Sequence, residues 1–169
     1  MSIYEKAFEK SDKTDAVLLV DGKKLHVNKA LLSYHSTHFK TLFNAEKSVK
    51  EVKIKDVNFK DFAAFLSLVQ ENPIIPTKEN AEKLLELADR FSMPSVKQHL
   101  ELFLIASDHW RLVKIRIGEK FGLDRLVEHG INAYGKDKLY SEMEHSDNYK
   151  QLSNETKVRL LQHLLKVKE

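Results

Sequence analysis

Apolar residues along this chain recur in two periods, and the switches between them divide it into elements. Val17, Leu18, Leu19 and Val20 form a β-branched-rich run, followed by Asp21-Gly22 and then by Lys23-Lys24-Leu25-His26-Val27. An Asp-Gly pair between two such runs predicts a hairpin, because a type I′ turn requires positive φ at both central residues. Asn28 is placed to cap a helix beginning at Lys29, whose apolar positions Ala30, Leu31, Tyr34 and Phe39 follow a helical stripe broken near Ser36-Thr37. Two short helices are expected there rather than one. Glu51 to Lys55 alternates polar and apolar with period 2, the pattern of a third strand with one wet face.

Phe59, Phe62, Ala63, Phe65, Leu66 and Val69 return to three- and four-residue spacing, which predicts a helix from about Asn58 to Glu71, stopped by Pro73 and Pro76. Thr77 caps the next helix, with Asn80 where a capping-box acid would stand and Ala81, Leu84, Leu85, Leu87 and Ala88 as its buried stripe. Pro94 fits the first turn of a helix reaching about Ala106. The chain then repeats itself: Leu87 to Val96 and His99 match Ile117 to Leu126 and His129 in chemistry at an offset of 117 − 87 = 30 residues. A helix, a tight turn and a second helix therefore occur twice. A last helix is capped at Ser153, with Thr156 where an acid would complete the box and Val158, Leu161, Leu164 and Leu165 as its expected buried stripe.

Composition narrows the chemistry. The 169 residues are 42% hydrophobic and 31% charged, ordinary for one globular domain or one domain with a helical extension. There is no Cys, so disulfides, thiolate metal sites and a cysteine nucleophile are excluded. With 28 basic and 25 acidic residues the net charge is +3, too mild to call for a nucleic acid partner. The charges within Met1 to Lys10 do not fit a secretion signal, and no apolar run approaches the roughly 20 residues of a membrane span. The expected compartment is cytosol or nucleus, with no membrane partner.

Taken in order, Asp15, the hairpin, His26-Val27-Asn28-Lys29, Leu31-Leu32-Ser33-Tyr34-His35-Ser36, Phe39, Leu42-Phe43, the strand Val52 to Ile54, Asp56-Val57 and the Phe59 helix resemble the BTB/POZ domain. Ala88-Asp89, Phe91 and Met93-Pro94-Ser95-Val96 match that family's last helical hairpin. The resemblance implies an α+β fold in which a small, mostly antiparallel sheet is flanked by a helical cluster. It assigns residues 1–11 to an N-terminal segment, 12–105 to the BTB domain and 106–169 to an all-helical extension of the kind found in cullin-3 adaptors. It further implies a non-enzymatic interaction module with no cofactor or metal, pairing with itself or a related BTB protein. The dimer seam would use Lys29, Leu31, Leu32, Tyr34, His35 and Phe39, with Asp15 and Lys29 as a charged pair beside it.

Family members reach cullin-3 through the loop after the Leu-Phe helix, usually marked by a hydrophobic residue, any residue, then Glu. The matching positions here read Ala45-Glu46-Lys47, and the literal fit Val49-Lys50-Glu51 lies too near the strand. Cullin-3 is thus the expected partner of the family with an altered contact loop. A separate substrate reader does not fit beside the BTB domain and its extension. That leaves the extension as reader, pairing with a longer relative, or a BTB scaffold in transcriptional or chromatin regulation that does not bind cullin-3.

Other polar groups read more plainly. His35 and His38 at i, i+3 lack a third metal ligand, and Asp15, His26, Ser33 and Ser36 lack a nucleophile elbow. The runs Lys47 to Lys60 and Arg111 to Lys120 read as solvated faces of mixed sign. Trp110 reads as a core anchor.

Overall fold

The computed structural model describes residues 1–45, 50–135, 143 and 145–168. Its elements run α1 (Ile3–Lys6), β1 (Ala16–Val20), β2 (Lys23–Val27), α2 (Lys29–His35), α3 (Thr37–Ala45), β3 (Glu51–Lys53), α4 (Phe59–Ser67), α5 (Ala81–Arg90), α6 (Pro94–Ala106), α7 (Arg111–Phe121), α8 (Asp124–Asn132), α9 (Asp147–Lys150) and α10 (Asn154–Lys168). Two compact units divide at Leu100/Glu101, inside α6 and a few residues before the break expected from the sequence.

In the first unit the hairpin forms as its turn chemistry requires, with Asp21 at φ 49° and Gly22 at φ 75°. The strand order is β2-β1-β3. β1 pairs antiparallel with β2 over five residue pairs, and parallel with β3 from Val17↔Glu51 to Leu19↔Lys53. The alternation that marks residues 51–55 as a strand carries no information on its direction, and the second ladder is parallel. Helix α4 ends at Ser67, earlier than the proline signals suggest. The buried Ser67 hydroxyl donates to the Ala64 carbonyl (2.7 Å) and accepts from the Ile74 N–H (2.9 Å), ending the helix and closing the segment that contains Pro73.

Two side chains of non-local origin fix the start of α4. Asn58 caps Lys60 and Asp61 locally, while the Asp21 carboxylate, in the hairpin turn, accepts from the Phe59 N–H at 2.9 Å. The preceding residue pair is held from α5: Arg90 donates to the Lys55 and Asp56 carbonyls (2.9 and 2.8 Å), across a turn in which Asp56 has φ 58°. Next to it, Phe91 is the hub of the core. Its ring meets Phe39, Phe62, Phe65 and His38 at centroid distances of 5.1 to 5.8 Å. Thr77 and Asn80 exchange side-chain to backbone bonds, so asparagine serves as the box partner before α5.

The 30-residue repeat is reproduced bond by bond. The Met93 N–H donates to Ala88 and the Leu123 N–H to Gly118; the Val96 N–H donates to Met93 and the Leu126 N–H to Leu123. Both turns need a left-handed residue at the same place, and it is Ser92 (φ 50°) in the first copy and Gly122 (φ 63°) in the second. In the second unit, α7 and α8 approach closely because Gly118 and Gly130 lack side chains. A Cβ on Gly118 would stand 2.7 Å from Val127 Cγ2, and one on Gly130 2.6 Å from Ile115 Cγ1.

Helix α10 corrects the expected stripe. Leu160 and Leu164 are buried with Ile115, Val127 and Ile131. Val158, Leu161 and Leu165 are exposed. The absent capping acid arrives from elsewhere: the Glu119 carboxylate on α7 accepts from the Ser153 N–H (2.9 Å), the Ser153 hydroxyl and the buried Thr156 hydroxyl (2.6 Å).

Candidate functional site

Helix α2 is short, and both of its ends are tied down. At the N-terminus the Asn28 side chain accepts from the Leu31 N–H and the Asp15 carboxylate accepts from the Lys29 N–H, each at 2.8 Å. At the C-terminus the buried Ser36 hydroxyl donates to the Phe91 carbonyl (2.6 Å) and accepts from the Phe39 N–H (3.0 Å), while His35 Nδ1 meets Ser95 Oγ at 3.0 Å. A segment of this length would fray alone; anchored so, it presents a fixed outer face. In the last turn of that helix Tyr34 is 85% exposed, its ring edge-on to His35 at 5.0 Å.

The six seam residues separate. Tyr34 is open, and Lys29, Leu31 and His35 are half-buried. Leu32 and Phe39 are corrections: both side chains are buried in the chain's own core, where Phe39 stacks on Phe91, so a partner cannot reach them. The Asp15 carboxylate reaches the Lys29 backbone N–H, and the Lys29 ammonium lies 5.8 Å from the Phe43 ring centroid. Asp15 acts on the helix terminus, where partial positive charge favours a carboxylate.

Of the contact-loop residues, Glu46, Lys47 and Val49 lie outside the described residues. Ala45 is exposed at the end of α3. Glu51 is the first residue of β3, and its carboxylate is 2.9 Å from the Lys24 ammonium.

The groups that could suggest chemistry are engaged structurally. The Ser36 hydroxyl is bound at the Phe91 carbonyl, and the His38 ring stands edge-on to Phe91. Among the described residues no cluster of three or more His, Asp or Glu side chains could hold a metal, and no helix is long and apolar enough to cross a membrane.

The basic run from Arg111 to Lys120 is another correction. Lys114 is buried and donates to the Ile105 and Ser107 carbonyls (2.9 and 2.7 Å) at the end of α6. Burial pulls its pKa below the usual 10.5, and Asp108 opposes that shift. Arg111 lies over Tyr134, and Arg116 donates to Asn148 at 2.9 Å. These are internal fastenings. Trp110 anchors no core; it stands at the N-cap position of α7 without a side-chain cap hydrogen bond and is 76% exposed. Lysine capping of the preceding helix leaves its own sequence signal only in retrospect, since Lys114 sits among similar cations.

A family model described as the BTB/POZ domain matches residues 4–108. "BTB/POZ domain-containing protein Y57A10B.3" of Caenorhabditis elegans is 33% identical over 168 residues, covering 96% of this chain and 53% of that protein. "BTB and MATH domain-containing protein 36" of the same organism is 32% identical over 176 residues, covering 99% of this chain and 55% of that protein. The chain thus spans about half the length of these relatives, and the similarity includes its second unit. Among solved structures, the BTB domain of human Gigaxonin is 20% identical with a TM-score of 0.48, covering 54% of this chain and 77% of that chain.

Proposed function

Because this chain belongs to the BTB/POZ domain family, whose members are protein-interaction modules, we propose that it works as a non-enzymatic adaptor of the cytosol or nucleus. It pairs with a second BTB subunit through α2 and attaches a bound partner to a cullin-3 ubiquitin ligase. The observation that carries this reading is Tyr34: a large aromatic, 85% exposed, on a helix whose ends are fixed by Asp15, Asn28 and Ser36. Rigid aromatic side chains with pinned backbones are what interface anchors consist of, since little ordering cost remains at association. The half-buried Leu31, three residues earlier on the same helix, adjoins Tyr34 on that face.

One observation favours a second reading, a BTB scaffold in transcriptional or chromatin regulation that does not engage cullin-3. Glu51, the glutamate of the literal hydrophobic-x-Glu string, belongs to β3 and is paired with Lys24. A partner would have to displace that ion pair to use it.

Light scattering on the chain and on Tyr34→Glu, followed by calorimetric titration with the N-terminal domain of cullin-3, tests both. A dimer that Tyr34→Glu converts to a monomer, with submicromolar cullin-3 binding, is the expected result. A dimer without cullin-3 binding transfers the function to the scaffold. A dimer mass unchanged by Tyr34→Glu removes α2 as the seam.

A further inference from the structure

The second unit carries an outward face that its own core does not use. Val158, Leu161 and Leu165 on α10 are 52%, 43% and 60% exposed, at i, i+3 and i+7. At roughly 100° per residue they fall within about 60° of arc, a narrow apolar ridge beside the buried Leu160–Leu164 face. Cations border it. Arg159 and Lys166 lie on one side and Lys157 on the other, and the helix holds four basic residues against one acidic, Glu155. Among the described residues neither Arg159 nor Lys166 is within ion-pair distance of a carboxylate. Arg159 and Lys166, with Gln162 and His163, also form one wall of a cleft of about 380 Å³, whose far wall on α8 includes Glu128 and Asn132.

We infer that this face of α10 docks an acidic amphipathic helix of a partner protein, independently of α2 and of the loop after α3. A helix with apolar residues at i, i+3 or i+4, and i+7 seats on Val158, Leu161 and Leu165. Glutamates beside that stripe then reach Arg159 and Lys166, where charge complementarity selects the partner and its direction. A second copy of this chain fits poorly, because two α10 ridges in contact set Arg159, Lys166 and Lys157 against their own equivalents. An anionic membrane fits poorly as well, since interfacial helices present an apolar arc of about 100° or more.

The test uses the whole chain and two labelled synthetic helical peptides, with leucines at the stated spacing and either glutamates or lysines beside them, read by fluorescence anisotropy. The glutamate peptide is expected to bind. Leu161→Glu and the double change Arg159→Gln with Lys166→Glu are each expected to weaken it by about tenfold or more, with the circular dichroism melt of the exposed Leu161→Glu variant unchanged. Absence of glutamate-peptide binding, or equal binding of both peptides, overturns the proposal. So does a light-scattering mass that falls in Leu161→Glu, which identifies a second copy as occupant, or sedimentation with phosphatidylserine vesicles that Leu161→Glu abolishes, which identifies a membrane. Loss of dimerisation in Tyr34→Glu with peptide binding retained separates this face from the reading of α2.

Discussion

Replacing Glu119 by alanine removes the acceptor of three hydrogen bonds that start α10: the Ser153 N–H, the Ser153 hydroxyl and the Thr156 hydroxyl. Ser153 is exposed and rehydrates, so its share is that of a weakened N-cap, about 0.5–1 kcal/mol. Thr156 is buried, and its hydroxyl without an acceptor costs about 1–2 kcal/mol. Together the loss is about 1.5–3 kcal/mol, or roughly ten- to a hundredfold in the opening equilibrium of α10. Amide hydrogen exchange along Asn154–Lys168 reads that quantity directly, without assuming that the two units unfold together. Glu119→Gln supplies the electrostatic half of the test. Burial works to raise the carboxyl's pKa, but the hydrogen bonds from Ser153 and Thr156 outweigh it and hold the value below the usual 4.5. A depressed carboxylate contributes stability that is fully present above its unfolded value and is lost as pH falls through the folded one. The difference between wild type and Glu119→Gln is therefore full near neutral pH and shrinks below about pH 4.5. Equal protection of α10 in Glu119→Ala, or a Glu119→Gln difference that does not change at all as pH falls below 4.5, would refute the assignment.

Phe91→Ala removes the ring shared by Phe39, Phe62 and Phe65 and should cost about 3–5 kcal/mol in denaturant unfolding, with exchange of the β1 and α4 amides accelerated. Ser92→Gly relieves a left-handed serine at the place where the second repeat has Gly122; it should stabilise the first unit by about 0.5–1 kcal/mol, and Gly122→Ser should cost the second unit a similar amount, both read from urea midpoints. Lys114→Met leaves the Ile105 and Ser107 carbonyls without their donor and should destabilise by about 1–2 kcal/mol in thermal unfolding.

Local signals were legible and distant ones were not. Asp21-Gly22 specifies its turn through φ alone, Asn28 caps its helix within three residues, and the 30-residue repeat returns as matching turn hydrogen bonds. The same apolar spacing misplaces α10 because its leucines trace two adjacent faces. Periodicity reveals that an apolar face exists, and only the packing against α7 and α8 selects Leu160 and Leu164 over Leu161 and Leu165. Leu32 and Phe39 were assigned outward for the same reason. The roles of Glu119 and Arg90 span 34 residues or more, and their partners are a serine, a threonine and backbone carbonyls that carry no distinguishing pattern.

Asp21 has a consequence for the order in which the first unit assembles. As a turn residue it could be exchanged for asparagine with no loss of hairpin geometry, yet its carboxylate also receives the Phe59 N–H, 38 residues along the chain. Hairpins form in about 1–10 μs, well ahead of contacts that must close a long loop. A turn that forms early offers its carboxylate to the α4 terminus, and Asp21→Asn tests whether that contact belongs to the folding nucleus. Asp21→Asn should then slow folding while leaving the unfolding rate nearly unchanged; a variant that instead unfolds faster would place that contact after the rate-limiting step.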